Sequence, residues 1–384
     1  NANSLSLVNP ILLNQAEYRR NYNSTANFSG YFNYEINRFL SFRSTLGYDI
    51  SNVRQNAFND TITSIARQNS NMPTASINTQ TRNTLNNSNV LSFTMNKSGT
   101  AFSDRNDLDV VLGQELFETV YKTYGIETRY FPVGITPKAA LGNMGLGSAP
   151  AGATQPPPTS TEATSRVFSF FGRVNYAFDK KYLASFTLRA DGSSKFAEGN
   201  RWGYFPSGTL AWRISEERFM ENLKPTISDL KLRMSYGRAG NNRINDFLYL
   251  TQFVANTYYS INDQLITAFR PSELANANLV WETTVSRNLG LDIGLFNDRL
   301  QISADAYKNT TSDLLVNVPV PTSSGYTQQI QNVGATSNKG IELQINGTPV
   351  ANRNFTWRAN FNISFNKNNI ETLGKYQDFF LFSS

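Results

Sequence analysis

Residues 355–365 read FTWRANFNISF and alternate apolar and polar side chains at every position. The odd-numbered positions carry Phe, Trp, Ala, Phe, Ile and Phe, whereas the even-numbered positions carry Thr, Arg, Asn, Asn and Ser. Successive side chains of a β-strand point to opposite faces, so this period of two predicts a strand with one apolar face and one polar face. Such a strand separates an apolar environment from a polar one.

The same period recurs along most of the chain. Weaker alternation is present at residues 89–96 and 106–117. Together these segments predict about twelve strands, many of ten residues or more, whereas ordinary sandwich strands have about five or six. A tilted strand needs about 9–11 residues to cross a bilayer, which these lengths match. The clear further segments are residues 28–36, 40–50, 168–178, 182–189, 209–215, 230–236, 288–295, 300–307 and 341–345.

Short and long connections alternate between these strands. Tight hairpin turns are predicted at Asn37-Arg38, Asp179-Lys180 and Asn297-Asp298. The alternation of connection lengths is weakest at residues 192–204, in the long series, and residues 216–228, in the short series, because these two connections have similar lengths. Bacterial outer-membrane barrels have short periplasmic turns and long outer loops. The predicted long connections are residues 51–88, 118–164, 239–279 and 311–337, including an Asn/Ser/Thr-rich part at 69–90 and a Gly/Ala/Pro-rich part at 140–160.

Composition excludes several classes of protein. The chain has no His and no Cys, so thiol or imidazole catalysis and Cys/His metal sites are excluded within it. Its 35 basic and 29 acidic residues are dispersed, which gives nucleic-acid binding no support. We predict that the chain is not an enzyme and holds no cofactor or metal. The acidic residues Asp104, Asp107 and Asp109 are interpreted as polar strand positions, since a Ca²⁺ site needs more oxygen ligands.

A sheet placed in hydrocarbon must close on itself, because unpaired edge amides find no water there. The sequence therefore predicts an all-β fold, part of a transmembrane antiparallel β-barrel with long extracellular loops and short periplasmic turns. A soluble β-sandwich or β-solenoid adhesin is the alternative, and it explains the long strands and the rhythm of the connections poorly. Aromatic residues near the strand ends are interpreted as a girdle at the lipid–water boundary: Tyr34, Tyr48, Tyr176, Phe178, Tyr182 and Tyr236.

Several segments resemble the SusC/RagA family of TonB-dependent outer-membrane transporters of Bacteroidetes. They follow one another in the family's order over most of residues 165–373, whereas residues 1–164 resemble the family only loosely. The segments are FGRVNYAFDKKYLASFTLRADGSSKF with NRWGYFPSGTLAWRISEERFM, LKLRMSYGRAGNN, LVWETTVSRNLGLDIGLFNDRLQISADAYKNTTSDLL, SGYTQQIQNVGATSNKGIELQI and NISFNKNNIETL.

The resemblance implies a 22-stranded barrel that surrounds an N-terminal plug, of which residues 1–384 supply part of the barrel domain. It implies TonB-driven import of oligosaccharides or peptides across the outer membrane, a SusD-like surface lipoprotein as a lid, and a two-fold pair of barrel–lid units. We expect a signal peptide, a TonB box, the plug and the final strands to lie outside this sequence. A passive porin, a structural barrel in a larger envelope assembly and a soluble adhesin are the alternative functions.

Candidate substrate contacts come from the predicted outer connections. Tyr258 and Tyr259 are the main candidates, because aromatic side chains in a long loop are available to a ligand. Asp191 opens an Asp-Gly-Ser-Ser segment that is more typical of a turn. Trp202 and Tyr204 suit sugar stacking, with an aromatic girdle as the alternative. The polar face of the strands carries Arg residues that suggest a channel wall, which we expect to pair with plug carboxylates: Arg43, Arg173, Arg189, Arg213, Arg233 and Arg358.

Overall fold

The computed structural model describes residues 9–95 and 105–374. Within these ranges the chain forms sixteen β-strands and three short α-helices. In chain order they are α1 (Pro10–Ala16), β1 (Glu17–Glu35), β2 (Leu40–Asn59), α2 (Ser64–Arg67), β3 (Thr74–Thr94), β4 (Asn106–Thr128), α3 (Pro137–Gly142), β5 (Thr159–Phe178), β6 (Tyr182–Ser193), β7 (Trp202–Arg213), β8 (Ile227–Asn241), β9 (Gln252–Ile261), β10 (Gln264–Glu273), β11 (Glu282–Leu295), β12 (Leu300–Ser312), β13 (Leu315–Pro319), β14 (Gln328–Asn332), β15 (Ala335–Ala351) and β16 (Thr356–Thr372). Over the same described residues, no helix combines the length and apolarity that a membrane crossing requires.

Twelve of the strands form one sheet in which each strand pairs with its neighbour along the chain. The sheet order is β1-β2-β3-β4-β5-β6-β7-β8-β11-β12-β15-β16. The pairs with a defined register are antiparallel, from β5 with β6 to β15 with β16. The hairpins β9–β10 and β13–β14 form separate two-stranded sheets inside two connections. This up-and-down order confirms the twelve-stranded antiparallel sheet that the sequence predicts.

The chain divides into two compact units. The first comprises residues 1–30, 46–87 and 117–165, and the second comprises residues 31–45, 88–116 and 166–384. The prediction that residues 1–384 belong to one barrel domain stays a prediction.

The first unit has a small core of its own. Phe58 and Phe131 are almost completely buried, together with Ala75 and Ala140. Full burial of a Phe side chain contributes about 1.5–3 kcal/mol of stability. The short helix α3 begins at a Thr136 cap, where Thr136 Oγ1 accepts a hydrogen bond from the Ala139 amide at 3.3 Å. The connection between β4 and β5 is therefore a folded structure that packs against Phe58 of β2 and Ala75 of β3.

In the second unit, strand register separates two faces across eight strands. The alternation over residues 355–365 is confirmed, because Phe361, Ile363 and Phe365 on β16 pair with Ile345, Leu343 and Ile341 on β15. Two adjacent rows of paired residues run across these eight strands, and their side chains lie on opposite faces of the sheet. The apolar row is Tyr176–Ala184–Leu210–Met234–Leu289–Ala306–Ile341–Phe365, and the neighbouring row is Ala177–Leu183–Ala211–Arg233–Gly290–Asp305–Glu342–Ser364.

No described segment of the chain covers the apolar face of this sheet. Leu210 is 61% exposed, Met234 57%, Ile341 60% and Phe365 66%. A contiguous exposed apolar surface of this extent marks contact with another apolar phase. Lipid hydrocarbon outside the sheet accounts for it.

Aromatic side chains border this face at two levels. Near the β5–β6 turn, the rings of Phe178 and Trp212 each stack on Tyr182 at 6.4 Å. At the other end of the same strands, Phe170 stacks on Trp202 at 6.4 Å. Ten residue steps along β6 cover about 33 Å, or about 25 Å of membrane height at a tilt near 40°. This matches the apolar band of an outer-membrane barrel.

One of the aromatic residues predicted to lie near strand ends is elsewhere. Tyr48 lies in the middle of β2, whereas Tyr236 is five residues from the end of β8. The reason is that several strands continue beyond the clearly alternating segment. In β3, residues 74–94 form strand although residues 69–90 were interpreted as loop. A strand with water on both faces needs no alternation, so Asn, Ser and Thr occupy it without a periodic signal.

The predicted long connections are correspondingly shorter, and two of them contain hairpins. Of the predicted connection 51–88, only residues 60–73 lie outside the strands. Of the predicted connection 118–164, only residues 129–158 do. Residues 239–279 contain β9–β10, and residues 311–337 contain β13–β14. Between β6 and β7 the connection 194–201 is shorter than the connection 214–226 of the short series, which consists largely of 3₁₀ turns. The alternation of connection lengths therefore fails at the place where the sequence signal is weakest.

The connection 214–226 is joined to the aromatic belt through Glu217. Its carboxylate accepts hydrogen bonds from Tyr182 Oη at 2.7 Å and Trp212 Nε1 at 3.2 Å, and Lys181 Nζ lies at 3.5 Å. The hydrogen bond from Tyr182, together with those from Trp212 and Lys181, holds the pKa of Glu217 below its ordinary value of 4.5. The folded state therefore favours the ionised carboxylate.

This predicts a pH dependence of stability. A lowered pKa contributes stability above the ordinary value of 4.5, and that contribution is lost as the pH falls through the folded-state pKa. We expect Glu217→Gln to lower the melting temperature at pH 7 and to lose this deficit progressively as the pH falls below 4.5. The measurement is thermal unfolding of both proteins in detergent across this range. An equal deficit at every pH would show that the ionised carboxylate is not the cause.

Candidate functional site

The polar face of the second unit carries a paired charge network across three strands. Arg233 on β8 donates from Nε to Asp292 Oδ2 at 2.8 Å and from Nη2 to Asp305 Oδ2 at 3.0 Å. Lys231 Nζ lies 3.0 Å from Asp292 Oδ2, and Ser303 Oγ donates to Asp292 Oδ1 at 2.7 Å. A side chain at Gly290 would place its Cβ 2.7 Å from Arg233 Cζ, so the glycine makes room for the guanidinium. The network fixes a hydrophilic surface on the face opposite the lipid.

A second network lies on β4, β5 and β6. Arg189 donates from Nη2 to Glu115 Oε2 at 2.9 Å and to Ser169 Oγ at 3.0 Å, and from Nε to Asp191 Oδ1 at 2.7 Å. Asp191 is 9% exposed and pairs with Gly203 of β7, so it belongs to strand β6. The interpretation of Asp191-Gly192-Ser193 as a turn is therefore wrong. The register continues through these residues because β7 supplies hydrogen-bond partners up to Trp202.

Three of the six Arg residues predicted for the wall find carboxylates within the sheet and its turns. Besides Arg189 and Arg233, Arg213 lies 3.4 Å from Glu216 and 3.8 Å from Asp229. The other three contact no carboxylate within ion-pair distance in the described part of the chain. Arg43 lies 4.3 Å from the Tyr31 ring centroid, Arg173 donates to Thr187 Oγ1 at 3.2 Å, and Arg358 is exposed on β16. Pairing with plug carboxylates stays a prediction for all six, although three have partners already.

The polar face also forms a concave depression near the β5–β6 turn. Its volume is about 420 Å³, and its lining includes Asp107, Asp109, Asn175, Ser185 and Thr209. Asp107 and Asp109 thus lie on the wall, as their strand alternation predicts, whereas Asp104 is outside the described residues. Within the described ranges, no three acidic side chains come close enough together to hold a metal ion.

At the opposite end of the strands, the long connections share a core. Phe196, Phe205, Leu279 and Trp281 are buried there, with Ile244 and Leu248 packed beside them. Both phenyl rings lie 5.4 Å from the Trp281 ring, and Trp281 Nε1 donates to the Arg201 carbonyl at 2.9 Å. The connections 194–201 and 242–281 therefore fold as one body.

Side-chain amides join this body to the third long connection. Asn332 accepts from the Val280 amide at 2.9 Å and donates to the Val280 carbonyl at 2.8 Å and the Asp313 carbonyl at 2.9 Å. Gln329 donates to the Ala275 carbonyl at 2.7 Å. The two side-chain amides hydrogen-bond to backbone groups as a neighbouring strand would. They hold the hairpin β13–β14 against residues 275–280.

A small pocket opens between these connections. Its volume is about 120 Å³, and Glu273, Asn317, Tyr326 and Gln328 contribute polar groups to it. The sequence analysis did not identify these residues. No local pattern marks them, since the pocket is made by connections that are about fifty residues apart along the chain.

The structure does not bring all five candidate substrate contacts together. Tyr258 and Tyr259 lie on β9, where Tyr259 is 47% exposed and the side chain of Tyr258 is outside the described part of the structure. Asp191 lies on the polar face, within the Arg189 network. Trp202 and Tyr204 pair with Gly192 and Ala190 on the apolar face, a position that favours the aromatic girdle. Substrate contact by these residues stays a prediction.

Comparison with known proteins agrees with this architecture. Residues 2–379 match the family described as TonB dependent receptor-like, beta-barrel. The TonB-dependent receptor P26 of Formosa agariphila is 37% identical over 373 residues, which cover 95% of this chain and 36% of that protein. The TonB-dependent receptor SusC of Bacteroides thetaiotaomicron is 40% identical over 220 residues, which cover 56% of this chain and 22% of SusC.

A solved structure of the RagAB peptide transporter superimposes with a TM-score of 0.82 and 26% identity. The match covers 94% of this chain and 38% of the RagAB chain. The chain thus spans less than half the length of each of these relatives.

Proposed function

Because the chain belongs to the TonB-dependent receptor-like β-barrel family, we propose that it is part of the wall of an importer for large nutrients. As a member of this family the chain is an integral outer-membrane β-barrel, with lipid on its apolar face. The observation that carries the proposal is that strand register gives eight strands one apolar face, while the opposite face carries the paired charges of Arg233, Asp292 and Asp305. A transmembrane wall of this kind encloses a hydrophilic lumen.

In this proposal, import through this lumen is driven by TonB. The proposal draws on the relatives, which are named as TonB-dependent receptors. The chain contributes no catalysis. Its paired networks, with Arg233 held by Asp292 and Asp305, suit a fixed hydrophilic wall more than a reactive site.

The cargo is an oligosaccharide or a peptide, and a SusD-like surface lipoprotein covers the outer end of the lumen. The description of RagAB as a peptide transporter supports a peptide, and the sequence resemblance to the SusC/RagA family supports the wider choice and the lipoprotein. The folded outer connections around Trp281 and Asn332 support it too, since a lid needs a surface of constant shape. Tyr258, Tyr259 and Asp191 contact the cargo or the lid in this proposal.

The test uses the full-length protein in its own outer membrane. We expect uptake of its oligosaccharide or peptide to stop when TonB is deleted or when the proton gradient is dissipated. We also expect a SusD-like lipoprotein to co-purify. Cells that lack only an unrelated TonB-dependent receptor are the control. Uptake that continues without energy would favour the passive porin, and extraction of the protein into buffer without detergent would favour the adhesin.

A further inference from the structure

Four cationic side chains lie in one row across the apolar face. Arg287 on β11 pairs with Lys308 on β12, Lys308 pairs with Lys339 on β15, and Lys339 pairs with Lys367 on β16. The four side chains are exposed. They lie two residues from Leu289, Ala306, Ile341 and Phe365, which form the adjacent apolar row on the same face.

The row is at the outer boundary of the membrane. Arg287, Lys308 and Lys339 each lie within five residues of a strand end next to a long connection, and Lys367 pairs with Lys339 near the corresponding end of β16. Tyr236 continues the row on β8, and the Arg287 guanidinium lies 5.9 Å from the centroid of its ring. An aromatic ring beside basic residues is typical of the interface between lipid headgroups and acyl chains.

The charges of this row are only partly compensated by the described part of the chain. In the described residues, no carboxylate lies within ion-pair distance of any of the four, whereas Arg189 and Arg233 on the opposite face each contact two carboxylates. Glu371, four residues beyond Lys367, accepts a hydrogen bond from Ser337 and also attracts Lys308 and Lys339 from beyond ion-pair distance. Like charges directly opposite each other in a sheet are destabilising. Three successive like-charged pairs beside a single carboxylate therefore favour a further anion from outside the chain.

We propose that Arg287, Lys308, Lys339 and Lys367 bind the phosphates of an anionic lipid in the outer leaflet, whose acyl chains lie on the apolar row below. Cross-strand neighbours are about 5 Å apart at Cβ, so adjacent ammonium groups can share one phosphate. The phosphates of such a lipid contact the cations, and its acyl chains contact the exposed side chains of Ile341 and Phe365.

The test measures lipid binding to the full-length protein in a non-ionic detergent by native mass spectrometry. The probes are bisphosphorylated lipid A, dephosphorylated lipid A and inorganic phosphate. The variant is Lys308→Gln/Lys339→Gln/Lys367→Gln. Its control, Lys180→Gln/Arg218→Gln/Arg353→Gln, removes the same charge from the short connections. Each cation near a charged membrane surface is worth about fivefold in affinity, so the row variant should bind phosphorylated lipid A about 100-fold more weakly.

We expect the unsubstituted protein and the control variant to prefer phosphorylated lipid A over both other probes. Lys339→Gln alone should lose about fivefold, and Lys→Arg at the three positions should retain binding, which covers the case in which the triple Gln variant does not fold. Equal binding of phosphorylated and dephosphorylated lipid would overturn the proposal, as would equal binding by the row variant. Inorganic phosphate that binds as tightly as the lipid, or a co-purifying protein that the lipid does not displace, would also overturn it.

Discussion

Phe186→Arg is expected to destabilise the folded barrel by about 2–4 kcal/mol, the cost of an Arg on the lipid face near the bilayer midplane. Phe186 is 55% exposed on the apolar face. Phe186 is four residues from Tyr182 at the turn end of β6, whereas Tyr236, in the same cross-strand row, is nine residues from the corresponding end of β8. The row thus rises through the membrane from strand to strand, and a guanidinium at Phe186 is far from either headgroup region. The measurement is equilibrium urea unfolding of the full-length protein in lipid vesicles.

Ser185→Arg is the matched control, since it introduces the same side chain one residue away on the opposite face. Ser185 lines the depression that contains Asp107 and Asp109, where a cation meets water and carboxylates. Its cost is the hydrogen bond from Ser185 Oγ to Asn175 Oδ1 at 2.7 Å, about 1 kcal/mol. Equal destabilisation by the two substitutions would contradict the assignment of the faces.

Arg233→Met is expected to destabilise the barrel by about 2–3 kcal/mol, because it leaves Asp292 and Asp305 with too few donors in a half-buried site. Their carboxylates are 23% and 20% exposed, and only Lys231 remains as a cation beside Asp292. Unfolding in urea again gives the free energy. Arg173→Met should cost less than about 0.5 kcal/mol, since Arg173 is exposed and donates to a single hydroxyl, Thr187 Oγ1.

Removal of the orphaned charges distinguishes this explanation from simple loss of packing. In Arg233→Met/Asp292→Asn/Asp305→Asn the neutral amides need no cation, so we expect most of the lost stability to return. If the triple variant is as unstable as Arg233→Met, the electrostatic explanation is wrong, and the lost packing of the arginine side chain is the cause of the destabilisation.

The strands that cross the membrane were the most predictable part of the fold. The face on which Phe361 and Ile363 lie is predictable because each residue stands between polar neighbours in the sequence. The same holds for Leu300 and Ile302 on β12. The polar extension of β3 was missed because Asn and Thr on both faces give no period. The hairpins β9–β10 and β13–β14 were missed because the surrounding connections have loop-like composition.

The candidate site was less predictable. The sequence identified Arg189 and Arg233 as wall residues, but not Glu115 and Asp305 as their partners, which are about seventy residues away along the chain. Trp202 and Tyr204 were proposed for substrate from their residue type, and only the register with β6 places them on the apolar face. The sequence around Asn332 contains no pattern that predicts its hydrogen bonds to Val280 and Asp313.

The sequence by itself determined that this chain makes long strands with one apolar and one polar face. It could do so because the period of a strand is two, so that a side chain's face depends only on its immediate neighbours. The tertiary structure alone decided which residues meet across strands. Arg287, Lys308, Lys339 and Lys367 form a row, and Arg233 reaches two carboxylates, because register depends on hydrogen bonds between distant segments. That register turns separate alternating segments into a continuous wall with distinct lipid, headgroup and lumen surfaces.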